Sequence, residues 1–186
     1  MGDLAITQFD SPETDANREM PDIDALFNAH HQQVFRAAYR VTGSLQDAED
    51  ILQSVFLRLL ADRESAALGE NPAAYLCRTA INASIDLLRA RVRTQHESLI
   101  EEEHVATRGH AETMLRQSEL RQGLRKAMLT LDGMTAEVFA LRYFEDFSNA
   151  EIARILNTTS SSVGVTLHRA RIRMQEILVE FEGDSQ

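Results

Sequence analysis

Six histidines, a single cysteine and no tryptophan leave this 186-residue sequence little material for catalysis. The histidines show no HExxH pattern or other metal-ligand spacing, and one cysteine makes neither a disulfide nor a thiolate-rich zinc site. Cys77 stands among helix-forming residues and reads as a small buried hydrophobe rather than a nucleophile. No nucleophile–base pair or phosphate-cradling glycine loop is visible, so neither an enzyme, a metal nor a cofactor is expected. The chemistry on offer is electrostatic. Arg78, Arg89, Arg91 and Arg93 form one cationic cluster, and His168, Arg169, Arg171 and Arg173 form another; both suit phosphate. Asp47, Glu49 and Asp50 run into Gln53 and Ser54. On a helix, Asp47, Asp50 and Ser54 share its outer side, where carboxylates suit arginines on a partner. A merely solvated charged face is the plainer reading of that stripe.

The elements that must carry these groups are helices. Only 3 prolines and 8 glycines occur, 44% of residues are apolar, and strand-like alternation between turn dipeptides is absent. An all-α protein of two small helical domains is therefore expected. Residues 1–20 read as a disordered acidic tail, 21–93 as a first module, 94–113 as a flexible linker, 114–181 as a second module and 182–186 as a tail. In the first module, Ile23, Phe27, His30, Val34, Ala38 and Val41 share a helical face that Gly43 ends. A second helix from Ser44 buries Leu45, Ala48, Ile51, Leu52, Val55, Phe56, Leu59 and Leu60. Asn71-Pro72 opens a third, ending in the arginine cluster. The second module starts with a helix carrying Leu115, Leu120, Leu124, Met128 and Leu131, broken at Asp132-Gly133.

The net charge of −10 argues against avid binding of free DNA, but much of the acid lies in residues 1–24 and 101–103. Attraction to phosphate is a local field, screened within roughly 10 Å, so the basic clusters keep their force. No apolar run reaches the roughly 18–20 residues that span a bilayer, and the start is acidic without a signal-like stretch. No membrane insertion and a cytoplasmic location are expected.

Residues 135–179 carry the sharpest local pattern. Ser148 and Glu151 form a capping box, with Phe147 and Ile152 as its hydrophobic staple. A short helix runs to Leu156, Asn157-Thr158-Thr159 turns, and Val163, Leu167, Ala170, Met174 and Leu178 line the next helix. This is a helix-turn-helix layout, whose second helix enters the major groove. Ser160, Ser161, Gly164, Val165 and His168 would face base edges, while Arg169, Arg171 and Arg173 would meet phosphates. An ordinary helical hairpin with a charged face remains the alternative.

With these residues laid out, residues 134–178 resemble the DNA-binding fourth region of extracytoplasmic-function (ECF) sigma factors. The match rests on "S-x-x-E-I-A" at Ser148–Ala153 and on Leu167-His168-Arg169-Ala170-Arg171. Asp47 to Arg58 resembles the family's "D-A-E-D-x-x-Q-x-x-F" segment, and Tyr75 to Arg89 resembles its helix facing the minus-10 element. The resemblance implies a two-domain sigma factor that binds core RNA polymerase, at the β′ coiled coil and the β flap, and promoter DNA. It further implies control by an anti-sigma factor. Asp47, Glu49, Asp50, Gln53, Ser54 and Arg58 become the polymerase contacts. Tyr75, Arg78, Asn82, Arg89 and Arg93 become the minus-10 candidates, and the residues from Ser160 to Arg173 named above the minus-35 candidates. Gly164 and Thr166 stand where the family carries basic residues, so minus-35 readout is expected to differ. The candidate loop from Ala61 to Asn71 lacks an aromatic residue, so a narrow choice of promoters is expected. Arginines beyond Leu88 also suit the negative end of a helix without any DNA. Two other functions stay open: a dimeric regulator that needs no polymerase, and a scaffold protein whose helices bind only proteins.

Overall fold

The computed structural model describes residues 22–61, 71–95 and 122–183, and every regular element among them is an α-helix. The first group is α1 (Ile23–Thr42), α2 (Leu45–Ala61) and α3 (Pro72–Gln95). The second is a helical segment over 122–129, here α4, followed by α5 (Gly133–Tyr143), α6 (Asn149–Ile155) and α7 (Ser160–Gly183). The expected acidic tail 1–20, loop residues 62–70 and most of the expected linker lie outside the described residues.

Local chemistry sets the boundaries. The Asp22 carboxylate accepts from the Ala25 amide at 3.0 Å to start α1. Gly43 ends that helix in the left-handed region at φ 71°, where its amide donates to the Tyr39 carbonyl. Ser44 Oγ accepts from the Asp47 amide, and Asn71 Oδ1 from the Ala74 amide, capping α2 and α3. Asp132-Gly133 is both a stop and a start, not the simple break expected. Asp132 accepts from the Thr135 amide at 2.9 Å and from the Thr135 hydroxyl at 2.6 Å, with Gly133 the first residue of α5. Those bonds, led by the Thr135 hydroxyl, hold the Asp132 carboxyl below its ordinary pKa. At the far end, α7 runs to Gly183, into the stretch expected as a polar tail.

In the first group Val34, Ala38 and Val41 of α1 meet Ala48, Ile51 and Val55 of α2, with Leu76, Cys77, Ala80 and Ile81 of α3 completing the core. Three expected core residues lie elsewhere. Phe27 is 39% exposed, stacked on His31 and edge-on to Phe56 at the rim. Leu45 and Leu60, 61% and 51% exposed, stand in the terminal turns of α2, where a helix has fewest neighbours. In the second group Met128, Val138, Leu141, Ile152, Val163 and Leu167 are almost wholly buried. The two groups touch: α5 lies against α3, and one buried cluster runs through both.

Candidate nucleic-acid interface

The turn between α6 and α7 is built as its residues dictate. Ser148 Oγ accepts from the Glu151 amide, and Glu151 Oε2 accepts from the Ser148 amide at 2.8 Å and from its hydroxyl at 2.6 Å. The Ser148 hydroxyl is the main cause that draws the Glu151 carboxyl below its usual range. Asn157 takes the left-handed conformation at φ 50°, and the Thr158 amide bonds back to the Ala153 carbonyl at 2.8 Å. Thr159 Oγ1 accepts from the Ser162 amide at 3.1 Å and so caps α7.

From that cap α7 buries Val163, Leu167, Ala170 and Met174, an i, i+4, i+7, i+11 stripe. The opposite side presents Ser160, Ser161, Val165, His168, Arg169, Arg171 and Arg173, all exposed. Arg173 pairs with Glu176 at 3.0 Å, a wholly surface contact that leaves it available to phosphate. Ile172, 45% exposed between two arginines, adds an apolar member that the sequence reading passed over. Gly164 is partly covered. A Cβ placed on it would stand 3.8 Å from Asn149 Nδ2, an ordinary contact, so packing on α6 does not require a glycine there.

A second surface lies between α2 and α3. Glu49, Asp50, Gln53, Ser54 and Arg58 are exposed on α2 as expected. Asp47 is not. It is 5% exposed, and its Oδ2 and Oδ1 accept from Arg91 Nη1 and Nη2 at 2.6 and 2.7 Å. The expected outward stripe therefore loses its first member to a bidentate pair with α3. Asp50, Ser54 and Arg58 share a groove of about 720 Å³ with Tyr75, Arg78 and Asn82. Residues expected on two surfaces thus line the walls of one.

Of the minus-10 candidates, Arg93 is exposed and Tyr75 is half-buried against the core. The other three have partners in the second group. Arg78 Nε donates to Glu137 Oε1 at 2.5 Å and its Nη1 to the Ile155 carbonyl at 3.2 Å. Asn82 Nδ2 donates to the same Glu137 oxygen at 3.0 Å, and Arg89 Nη2 to the Leu131 carbonyl at 2.7 Å. Glu137 escaped the sequence reading. Its one signal is a lone carboxylate in the otherwise apolar run Ala136–Leu141, all of it buried. Cys77 is fully buried, and burial pushes its thiol up to about 12, so it stays protonated and inert near neutral pH. Among the described residues no cluster of three or more metal-ligating side chains occurs, and no helix is long and apolar enough to cross a membrane.

Comparison with known proteins assigns both groups of helices to a family. Residues 26–94 match sigma-70 region 2, and residues 121–174 match sigma-70 region 4. The ECF RNA polymerase sigma factor SigW of Bacillus subtilis is 25% identical over 165 residues, covering 82% of this chain and 87% of that protein. The chain belongs to the ECF family of RNA polymerase sigma factors. Another relative, the RNA polymerase sigma factor YlaC of Bacillus subtilis, is 28% identical over 156 residues, covering 83% of this chain and 90% of its own. The sigma factor RpoE from Bartonella quintana, solved in complex with the anti-sigma factor NepR, shares the fold. It aligns with a TM-score of 0.54 at 24% identity, over 84% of this chain and 96% of that one. An ECF sigma factor directs transcription initiation and has no catalytic activity of its own. Sigma factors bind core RNA polymerase and promoter DNA; by the matched ranges, α1–α3 make up region 2 of this one and α4–α7 carry its region 4.

Proposed function

We propose that this sigma factor grips the β′ coiled coil of core polymerase with the outer side of α2, through Glu49, Asp50, Gln53, Ser54 and Arg58. Asp47 drops out as a contact and instead ties α2 to α3 through Arg91. The minus-10 strand meets Tyr75, Arg78, Asn82, Arg89 and Arg93, and the minus-35 duplex meets α7 from Ser160 to Arg173. Region 4 also engages the β flap. The working units are residues 21–93 and 114–181, joined through 94–113, and the protein acts in the cytoplasm. An anti-sigma protein is its proposed inhibitor, a partner class suggested by the NepR complex of the related fold.

One observation supports this reading above the rest. The α2–α3 groove brings the exposed Asp50 and Asp86 together with Arg58 and Arg78 along one lining, while α7 offers a separate cationic helix whose apolar stripe is buried. A regulator that binds DNA alone needs the second surface but not the first. Footprinting on genomic fragments tests the assignment. Protection at two separated patches, present only when core polymerase accompanies the protein, is the expected result. Protection by the protein alone would overturn it.

A further inference from the structure

Over residues 160–170 of α7, Val165 is the one exposed apolar residue, at 49%. Ser161 stands four residues before it and His168 three after, on the same exposed side. A lone exposed valine is common on protein surfaces, so its setting has to decide the matter. Gly164 beside it carries no side chain, and a Cβ there would meet only Asn149 Nδ2, at 3.8 Å. Ser162 is spent on the cap, with its amide and its hydroxyl both bonded to Thr159 Oγ1. Thr166 is half-buried. Neither lysine nor arginine occurs from Ser160 to His168; the cations begin at Arg169 and continue with Arg171 and Arg173.

That distribution limits what the first turns of the helix can read. Paired donors to a guanine edge come from Arg or Lys, and none stands before Arg169. The hydroxyls of Ser160 and Ser161 donate or accept equally, so they discriminate weakly between bases. Val165 discriminates by shape and polarity. A major groove offers a single apolar feature, the C5-methyl of thymine. Against the amino group of adenine or cytosine, the valine methyls would displace water from a donor without replacing its bond. The three arginines beyond supply the local field that draws this side onto a duplex.

We propose that Val165 is a specificity residue for the minus-35 element: its methyls pack on the C5-methyl of one thymine, which a target promoter must place there. The inference rests on the seating of α7 in the minus-35 groove and names the base chemistry that this seating reads.

The test uses the full chain with core polymerase on a promoter fragment found by run-off transcription, its upstream protected patch mapped by footprinting. Each thymine of that patch is replaced in turn by deoxyuridine, which removes one methyl and leaves base pairing intact. At one position the parent holoenzyme should lose about fourfold in affinity, the worth of one buried methyl group. A C·G pair at that position should cost more. Val165→Ala, at an exposed helical position, should bind the thymine and deoxyuridine duplexes nearly alike. Binding that is blind to every methyl, a patch without thymine, or a methyl effect that survives intact in Val165→Ala overturns the inference while the seating of α7 stands. Absence of any upstream protection overturns the seating and the inference together.

Discussion

Asp47 and Asp50 stand three residues apart on α2, yet the structure gives them opposite duties, so their substitutions should part company. Asp47→Asn removes the charge from a carboxylate that is 5% exposed and makes two charge-assisted bonds to Arg91. Each such bond contributes roughly 1.5–3 kcal/mol when neither partner can rehydrate. Arg91 keeps 39% of its side chain exposed, so it can turn partly to water, and an asparagine retains one acceptor. A net loss of about 2 kcal/mol follows, well short of the roughly 3–5 kcal/mol for breaking a fully buried pair. For a chain of this size that lowers the melting temperature by about 4–8 °C. Asp50→Arg alters an exposed residue and should move stability by no more than about 0.5 kcal/mol, while reversing the charge offered to the coiled coil. Thermal melting by circular dichroism and core-polymerase affinity by fluorescence anisotropy, both on the full chain, give four readings. Asp47→Asn should melt early but bind core polymerase at low temperature, and Asp50→Arg should melt normally but fail to bind. A normal melt for Asp47→Asn with binding abolished would refute the reasoning.

Three further expectations concern region 4. Gly164→Ala should raise stability by about 1 kcal/mol, since the added methyl meets only Asn149 at ordinary distance. Promoter binding should nevertheless weaken, and a stabilised variant with undiminished affinity would remove any need for close backbone approach to DNA. Arg171→Ala should weaken promoter binding by the holoenzyme and flatten its salt dependence by about one phosphate contact; equal salt slopes would remove the phosphate role. Asp132 and Glu151 have folded-state pKa values below their ordinary 3.8 and 4.5. The stability they add is complete above those ordinary values and is lost as pH falls through the lowered ones. Asp132→Asn and Glu151→Gln should therefore flatten the acid limb of a melting-temperature profile, and a limb of unchanged slope would sink the assignment.

The helix-turn-helix was legible residue by residue because its signals are local. Ser148, Glu151 and Asn157 each act on backbone within a few positions, so their types alone announce the cap and the turn. The helical class and the α1 to α3 boundaries at Gly43, Ser44 and Asn71 were readable for the same reason. Periodicity also identified which side of α7 is buried. It did less well wherever a distant group intervenes. Asp47 shares a helical side with Asp50, and nothing within α2 reveals that Arg91, 44 residues away, draws it inward. Arg78, Asn82 and Arg89 look like free donors until α5 is laid across them. Glu137, a lone carboxylate in an apolar run, shows its role only once Arg78 and Asn82 are brought against it. A helix's own period tells which faces differ, and only tertiary packing tells which of them is covered.

The adaptor role stands or falls on one experiment: run-off transcription on genomic fragments with purified core polymerase, with and without the protein. Transcripts with defined 5′ ends that appear only when both are present are the predicted result. Core polymerase that initiates no differently in the presence of the protein, while the protein binds specific DNA unaided, would contradict it.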